Sequence, residues 1–144
     1  MREILFRGKR IDINEWIEGY YAVSPTDSKS YIYAKDHHEM DIADDGLHVA
    51  YRLMQVIPET VGQFVGSTDK NDNKIFEGDI IKVPDCCHRG DAVGFVYYDC
   101  DEAAYCAKCW GIKYQLGADL SSDSIEIIGN TYDNSELLEL MESR

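Results

Sequence analysis

The sequence predicts a mainly β protein: a small barrel or sandwich core, preceded by an N-terminal β-hairpin segment and followed by one helix. Three observations carry this. Ten tyrosines, many Ile and Val, and eleven glycines as punctuation are the composition of strands joined by turns. The segments EGDIIKV, VGFVYYD and AYCAKCW recur with turns about every eight to twelve residues, the spacing of a small barrel or sandwich. The C-terminal DNSELLELMESR is the one clear helix, with Leu137, Leu138, Leu140 and Met141 forming one stripe.

Taken in order, EILFRG and WIEGYYAV flank a turn around DINE and read as the N-terminal hairpin. SYIYAK alternates as a short strand, with Tyr31 and Tyr33 on one face and Ile32 on the other. DHHEMDIADDG then reads as an exposed acidic loop. LHVAYRLMQVI fits both period two and a helix, and its strand-rich surroundings favour a strand that Pro58 closes. TVGQFVG is the next strand, ended by Gly66. PDCCHRGD is a loop, CDEA a turn and SIEIIGN the last strand. In the helix, Asn134 or Ser135 can cap the first turn and Glu136 suits its dipole.

DKNDNKIFEGDIIKV, residues 69–83, is the densest run of polar side chains. Asp69, Asn71 and Asn73 match the first three ligand positions of a calcium loop. The match then fails: Lys74 stands where that loop needs glycine, and Ile80 where it needs a bidentate glutamate. A hairpin tip meets no such obstacle, because Asn and Asp tolerate left-handed backbone and bond their own main chain. The stretch reads as a turn, with Gly78–Asp79 leading into the following strand.

Charge bears on partners. The net charge is −13; residues 1–35 net +1 and the remainder −14. An acidic body repels phosphate, so nucleic-acid binding is not expected, and a partner would be a protein or a second copy. The one mildly basic run, Arg7-Gly-Lys9-Arg10, has Glu3 and Asp12 nearby to offset it. No apolar run reaches the ~20 residues of a membrane span, and the N-terminus has no signal-peptide stretch, so the expected location is the cytoplasm.

The five cysteines are an odd count and point to reduced thiols. Cys106 and Cys109 have the spacing of a zinc-ribbon knuckle, and Cys86, Cys87 or His88 could complete a site. Three residues apart in a strand, however, Cys106 and Cys109 face opposite sides. All five are expected to be free, metal-independent thiols that pack as small apolar groups. A cysteine nucleophile with His37, His38, His48 or His88 as base has no local signature, and no helix starts after Cys106 to activate it as a redox thiol. Asp44–Asp45 and Asp101–Glu102 read as solvated loop acids. Tyr97, Tyr98, Tyr105 and Trp110 could line a peptide-binding surface, although alternation sends Tyr97 and Tyr98 to opposite faces. No catalytic, cofactor or metal residue is assigned, and the chain is not expected to be an enzyme.

Three blocks, LFRGKRID…EWIEGYY, VIPETVGQFVGSTDKNDNKIFEGDIIKV and IEIIGNTYDNSELLE, resemble the YopX family of phage and prophage proteins. They cover about half the chain in the family's order. The cysteine-rich middle, CCHRGD…CDEAAYCAKCW, departs from the family's usual pattern. The resemblance implies a small SH3-like roll over residues 59–144, its C-terminal helix included, beside a β segment over residues 1–58. It brings no catalytic residue and no established activity. The expectation is a phage- or prophage-derived accessory protein, non-enzymatic, that binds protein or itself in the bacterial cytoplasm. Two alternatives stay open: a zinc-stabilised module using the cysteine cluster, and an acidic mimic of nucleic acid that occupies a basic site on a host protein.

Overall fold

A computed structural model describes the backbone of residues 2–43, 46–84 and 90–142, and the side chains of residues 2–34, 53–84 and 90–139. The chain is mainly β, with antiparallel sheets and one short C-terminal helix. It divides into two compact units, Met1–Gln63 and Phe64–Arg144.

The first unit is an antiparallel meander. Strands β1 (Phe6–Lys9), β2 (Trp16–Val23), β3 (Ser30–Ala43) and β4 (Gly46–Gln55) pair in sequence, and Gly62 and Gln63 pair with the free side of β1. The segment LHVAYRLM is strand, as its surroundings suggested. The segment DHHEMDIA is strand too, against the expected acidic loop: β3 runs on to Ala43, and Asp41 lies opposite His48. Its acids fit a loop by composition, but a long partner strand satisfies their backbone groups. The register slips between Tyr33 and His38, so the hairpin arm is bulged. Asp44 and Asp45 lie outside the described residues.

Alternation sorts the two faces of this meander. Leu5, Ile32, Ala34 and Val56 are buried and form the inner side. Gly19 belongs there as well, for a Cβ at that position would overlap the carbonyl oxygen of Tyr33. Opposite faces of β2 therefore carry different residues, Gly19 and Tyr21 inward and Glu18 and Tyr20 outward.

In the second unit β5 (Gly62–Thr68) pairs with β6 (Lys74–Phe76) through Phe64↔Phe76 and Thr68↔Lys74. Gly66 does not end the strand as expected; at φ +96° it forms a bulge and β5 continues to Thr68. Strands β7 (Asp79–Val83), β8 (Ala92–Asp99), β9 (Ala104–Cys109), β10 (Ile112–Gln115) and β11 (Glu126–Asn130) form an antiparallel sheet in the order β10-β9-β8-β7-β11. Strand β10 has no counterpart in the sequence reading. It is made by a two-residue turn at Trp110 and Gly111, both with positive φ, which folds β10 onto β9.

One face of this sheet builds the core of the unit: Ile81 and Val83 from β7, Ala92 and Val96 from β8, Ala107 and Cys109 from β9, together with Ile75, Leu120 and Ile125. Helix α1 (Glu136–Glu142) packs on β8 with Leu137 and Leu138 half-buried. The side chains of Leu140 and Met141, the rest of the expected stripe, lie outside the described residues.

Candidate functional site

The polar run at residues 69–73 is a hairpin tip built around one carboxylate. Asp69 is 3% exposed. Its Oδ1 accepts the backbone N–H groups of Asn71 and Asn73, both at 2.9 Å, and its Oδ2 accepts that of Ile127 at 3.1 Å. Burial pushes the Asp69 carboxyl up, but hydrogen bonds from Ile127, Asn73 and Asn71 outweigh it and hold its pKa below the ordinary carboxylate value. Of the turn residues only Asp72 takes left-handed backbone, at φ 62°. Ile80, at the last calcium-loop position, is fully buried. Both oxygens of Asp69 are spent on the main chain. The chemistry of this stretch is structural.

The same tip is tied to the last block of the sequence. Lys70 N–H donates to the Ile125 carbonyl at 2.9 Å, and Lys70 Nζ meets Glu126 at 3.2 Å. Past β11, Thr131 N–H donates to the Gly78 carbonyl at 2.8 Å. Asn130 Oδ1 accepts the N–H groups of Tyr132 and Asp133, and Asn134 Oδ1 accepts that of Asn130. Asn134 thus closes the turn before α1 with its side chain. The two sequence blocks DKNDNKIFEGDIIKV and IEIIGNTYDNS meet as one hydrogen-bonded clamp.

Three ligand-type atoms do converge elsewhere, on Asp99, Glu102 and Cys106. Lys113 Nζ sits among them, 3.1 Å from Asp99 and 3.0 Å from Glu102. Those bonds raise the Lys113 pKa above the ordinary lysine value and, with Lys113 as the leading cause, lower that of Asp99. The ammonium supplies the positive charge this cluster calls for. Burial, then the charges of Glu102 and Asp99, push the Cys106 thiol up, the opposite of what a nucleophile needs. Cys109 faces the other side of β9 and packs in the core. The two sulfurs of the CxxC pair therefore cannot hold one ion together. Cys86, Cys87, His37, His38, His48 and His88 lie outside the described residues, either entirely or in their side chains.

The four aromatics weighed as one surface separate. Tyr97 stacks near Phe95 on the Cys106 side of the sheet, centroids 5.5 Å apart. Tyr98 and Tyr105 meet edge to face at 5.1 Å on the other side, and Trp110 packs against the core. A surface that sequence reasoning missed lies on the first unit. Tyr20, Tyr33 and Leu53 stand opposite one another on β2, β3 and β4, with Tyr31 in the next row. Tyr20 is 54% exposed and Leu53 49%. On the same face Trp16 is covered by Arg7, 4.9 Å from its ring, and by Lys9 at 5.7 Å. Arg10 is held by Asp12 at 2.6 Å, so the basic run is partly neutralised as expected. Alternation placed each tyrosine on a face; the β3–β4 register, which brings Leu53 beside Tyr33, had no local signal.

The second unit also holds a cleft of about 200 Å³. Val65, Tyr105, Leu116, Leu120 and Ile125 line it together with Ser67 and Ser122. The loop beyond β10 is pinned there by Leu116 N–H to the Tyr105 carbonyl and Gly117 N–H to the Leu120 carbonyl, at 3.0 and 2.8 Å. Among the described residues no charged side chain lines it.

These features define a class: a two-unit, mainly antiparallel β protein whose motif residues at 69–73 and 130–134 serve the fold. The chain belongs to the YopX family; the family's model, described as YopX protein, matches residues 5–139. The fold is similar to that of the crystal structure of protein EF1440 from Enterococcus faecalis. That likeness has a TM-score of 0.61 at 20% identity and spans 96% of this chain and 99% of the other. No curated protein matches the chain. Among the described residues no helix is long and apolar enough to cross a membrane.

Proposed function

We propose that this chain is a non-catalytic binding module whose partner is a protein or a second copy of itself. The observation that carries the reading is the row Tyr20–Tyr33–Leu53 on the outer face of the first unit, exposed at Tyr20 and Leu53 and half-buried at Tyr33, beside Trp16 and Arg7. Tyrosine, tryptophan and arginine are the residues enriched in the buried centres of protein interfaces, and a contiguous exposed apolar face is uncommon without a partner. The net charge of −13 disfavours nucleic acid. The five antiparallel strands of the second unit support reading it as a small SH3-like roll. A phage or prophage origin and action in the bacterial cytoplasm complete the proposal; they rest on the family resemblance and on composition.

The test compares the wild-type chain with a Tyr20→Ser, Leu53→Ser double variant in sedimentation and in pull-down from a bacterial lysate. Self-association or capture that the double variant loses, with its unfolding midpoint unchanged, supports the proposal. Salt-sensitive, micromolar binding to mixed DNA or RNA sinks it, and so does capture that the double variant retains.

A further inference from the structure

The hairpin arm of the first unit has backbone to offer on both sides. Strand β2 meets β3 only from Ser30 to Ala34. From His38 to Ala43, β3 has one neighbouring strand among the described residues, β4, through six register pairs that end at Ala43↔Gly46. The arm is therefore a two-stranded ribbon, a form that is marginal in water without a third strand or a packed face. In each strand, alternate residues point their N–H and C=O groups away from the pair, so each edge can take another strand.

The other sheet edges are blunted. Strands β6, β10 and β11 are three, four and five residues long. In each, an aspartate takes a main-chain N–H: Asp79 that of Phe76 at 2.8 Å, Asp119 that of Gln115 at 2.7 Å, and Asp69 that of Ile127 at 3.1 Å. Strand β4 is ten residues long, GLHVAYRLMQ, and has no proline, lysine or acid. Shortness, proline and charge are the devices that keep an edge from pairing, and of these β4 has only Arg52.

Composition and order choose the occupant. The β3 edge of the arm carries Asp36, Glu39 and Asp41, whose like charges oppose pairing with a second β3. On the β4 edge two chains of net charge −13 can meet without acid opposite acid. A loose segment of another protein would first have to be ordered as a strand, which costs conformational entropy. A second β4 is already extended on its own β3, and one pairing satisfies both edges. We infer that β4 pairs antiparallel with β4 of a second copy about a two-fold axis, joining the two arms into one four-stranded sheet. The pairing uses the backbone of the arm and goes beyond the reading of the outer face, so it can fail while that reading stands.

The experiment follows the full chain by sedimentation and by amide hydrogen exchange over a concentration series. A dimer is expected, tightened by added salt as repulsion between the two acidic chains is screened. In the dilute monomer the amides of residues 48–51 should alternate between slow and fast exchange, because successive N–H groups point to β3 and to solvent. In the dimer all four should be slow. Val49→Pro and Ala50→Pro separate the two sides of the strand. One of them should weaken the dimer at least about tenfold with the monomer's unfolding midpoint unchanged, and the other should lower that midpoint. Tyr20→Ser, on β2 and away from this edge, should leave the dimer intact. The exchange pattern of the wild type decides should either proline variant fold poorly. A chain that stays monomeric, a dimer in which residues 48–51 still alternate, a dimer dissolved by salt, or one that both prolines spare would overturn the inference. A dimer lost in Tyr20→Ser but kept in both proline variants would overturn it too, and would leave the reading of the outer face standing.

Discussion

The carboxylate of Asp69 accepts the backbone N–H of Ile127, 58 positions away in the chain, at 3.1 Å. Through that bond a hairpin tip and the last strand, each recognisable alone in the sequence, become one structural piece.

Asp69→Ala should therefore destabilise the second unit by about 3 kcal/mol, because three backbone donors in a buried place lose their acceptor together. Denaturant unfolding followed by tryptophan fluorescence and by circular dichroism measures it. A loss below about 0.5 kcal/mol would mean that water replaces the carboxylate freely.

The pH dependence follows from the direction of the Asp69 shift. Its folded pKa lies below the unfolded value of about 3.9. The bonds therefore contribute fully above that unfolded value and are lost as the pH falls through the folded one. The stability gap between wild type and Asp69→Asn should be widest at neutral pH and narrow steadily below pH ~4. A gap that stays constant down to pH ~2 would show that the charge of Asp69 is irrelevant.

Gly129→Ala tests the other half of the clamp. A Cβ at Gly129 would stand 2.5 Å from Asn134 Oδ1, the atom that accepts the Asn130 N–H. The side chain of Asn134 must swing away and give up that bond, at a cost of about 1–3 kcal/mol. Combining Gly129→Ala with Asn134→Ala should cost less than the sum of the two single changes, since both break the same contact. Strict additivity in a double-mutant cycle would refute the contact.

Gly19→Ala should be more damaging than Gly129→Ala, because the new methyl meets the Tyr33 backbone carbonyl and not a side chain that can turn. The expected readout is loss of the β2–β3 pairing, seen as rapid amide exchange at Tyr20 and Tyr33. Protection as in the wild type would contradict the register.

Among Cys100, Cys106 and Cys109, thiol reactivity should rank Cys100 first. It is exposed, whereas Cys106 and Cys109 are buried, and burial with the nearby Glu102 and Asp99 charges raises the Cys106 pKa. Iodoacetamide at pH ~8 with peptide mapping should label Cys100 well before Cys106. Faster labelling of Cys106 would mean that Lys113 outweighs the two carboxylates.

Local chemistry settles much of this protein's secondary structure. Asn and Asp at residues 69–73 demanded a turn, alternation put Cys106 and Cys109 on opposite faces, and the leucine period from residue 137 demanded a helix. Each is a statement about neighbours in the chain, where the periods of strand and helix act directly. What lay beyond reach depended on partners far along the sequence. The acidic run DHHEMDIA became strand because β4 supplied a matching register, and β10 existed only once Trp110 and Gly111 had turned the chain back onto β9. The row Tyr20–Tyr33–Leu53 joins three strands, and the cleft gathers residues from 65 to 125. Surfaces of that kind are made by strand pairing and loop closure. Pairing energies are set by packing between segments, so no single segment carries their signature.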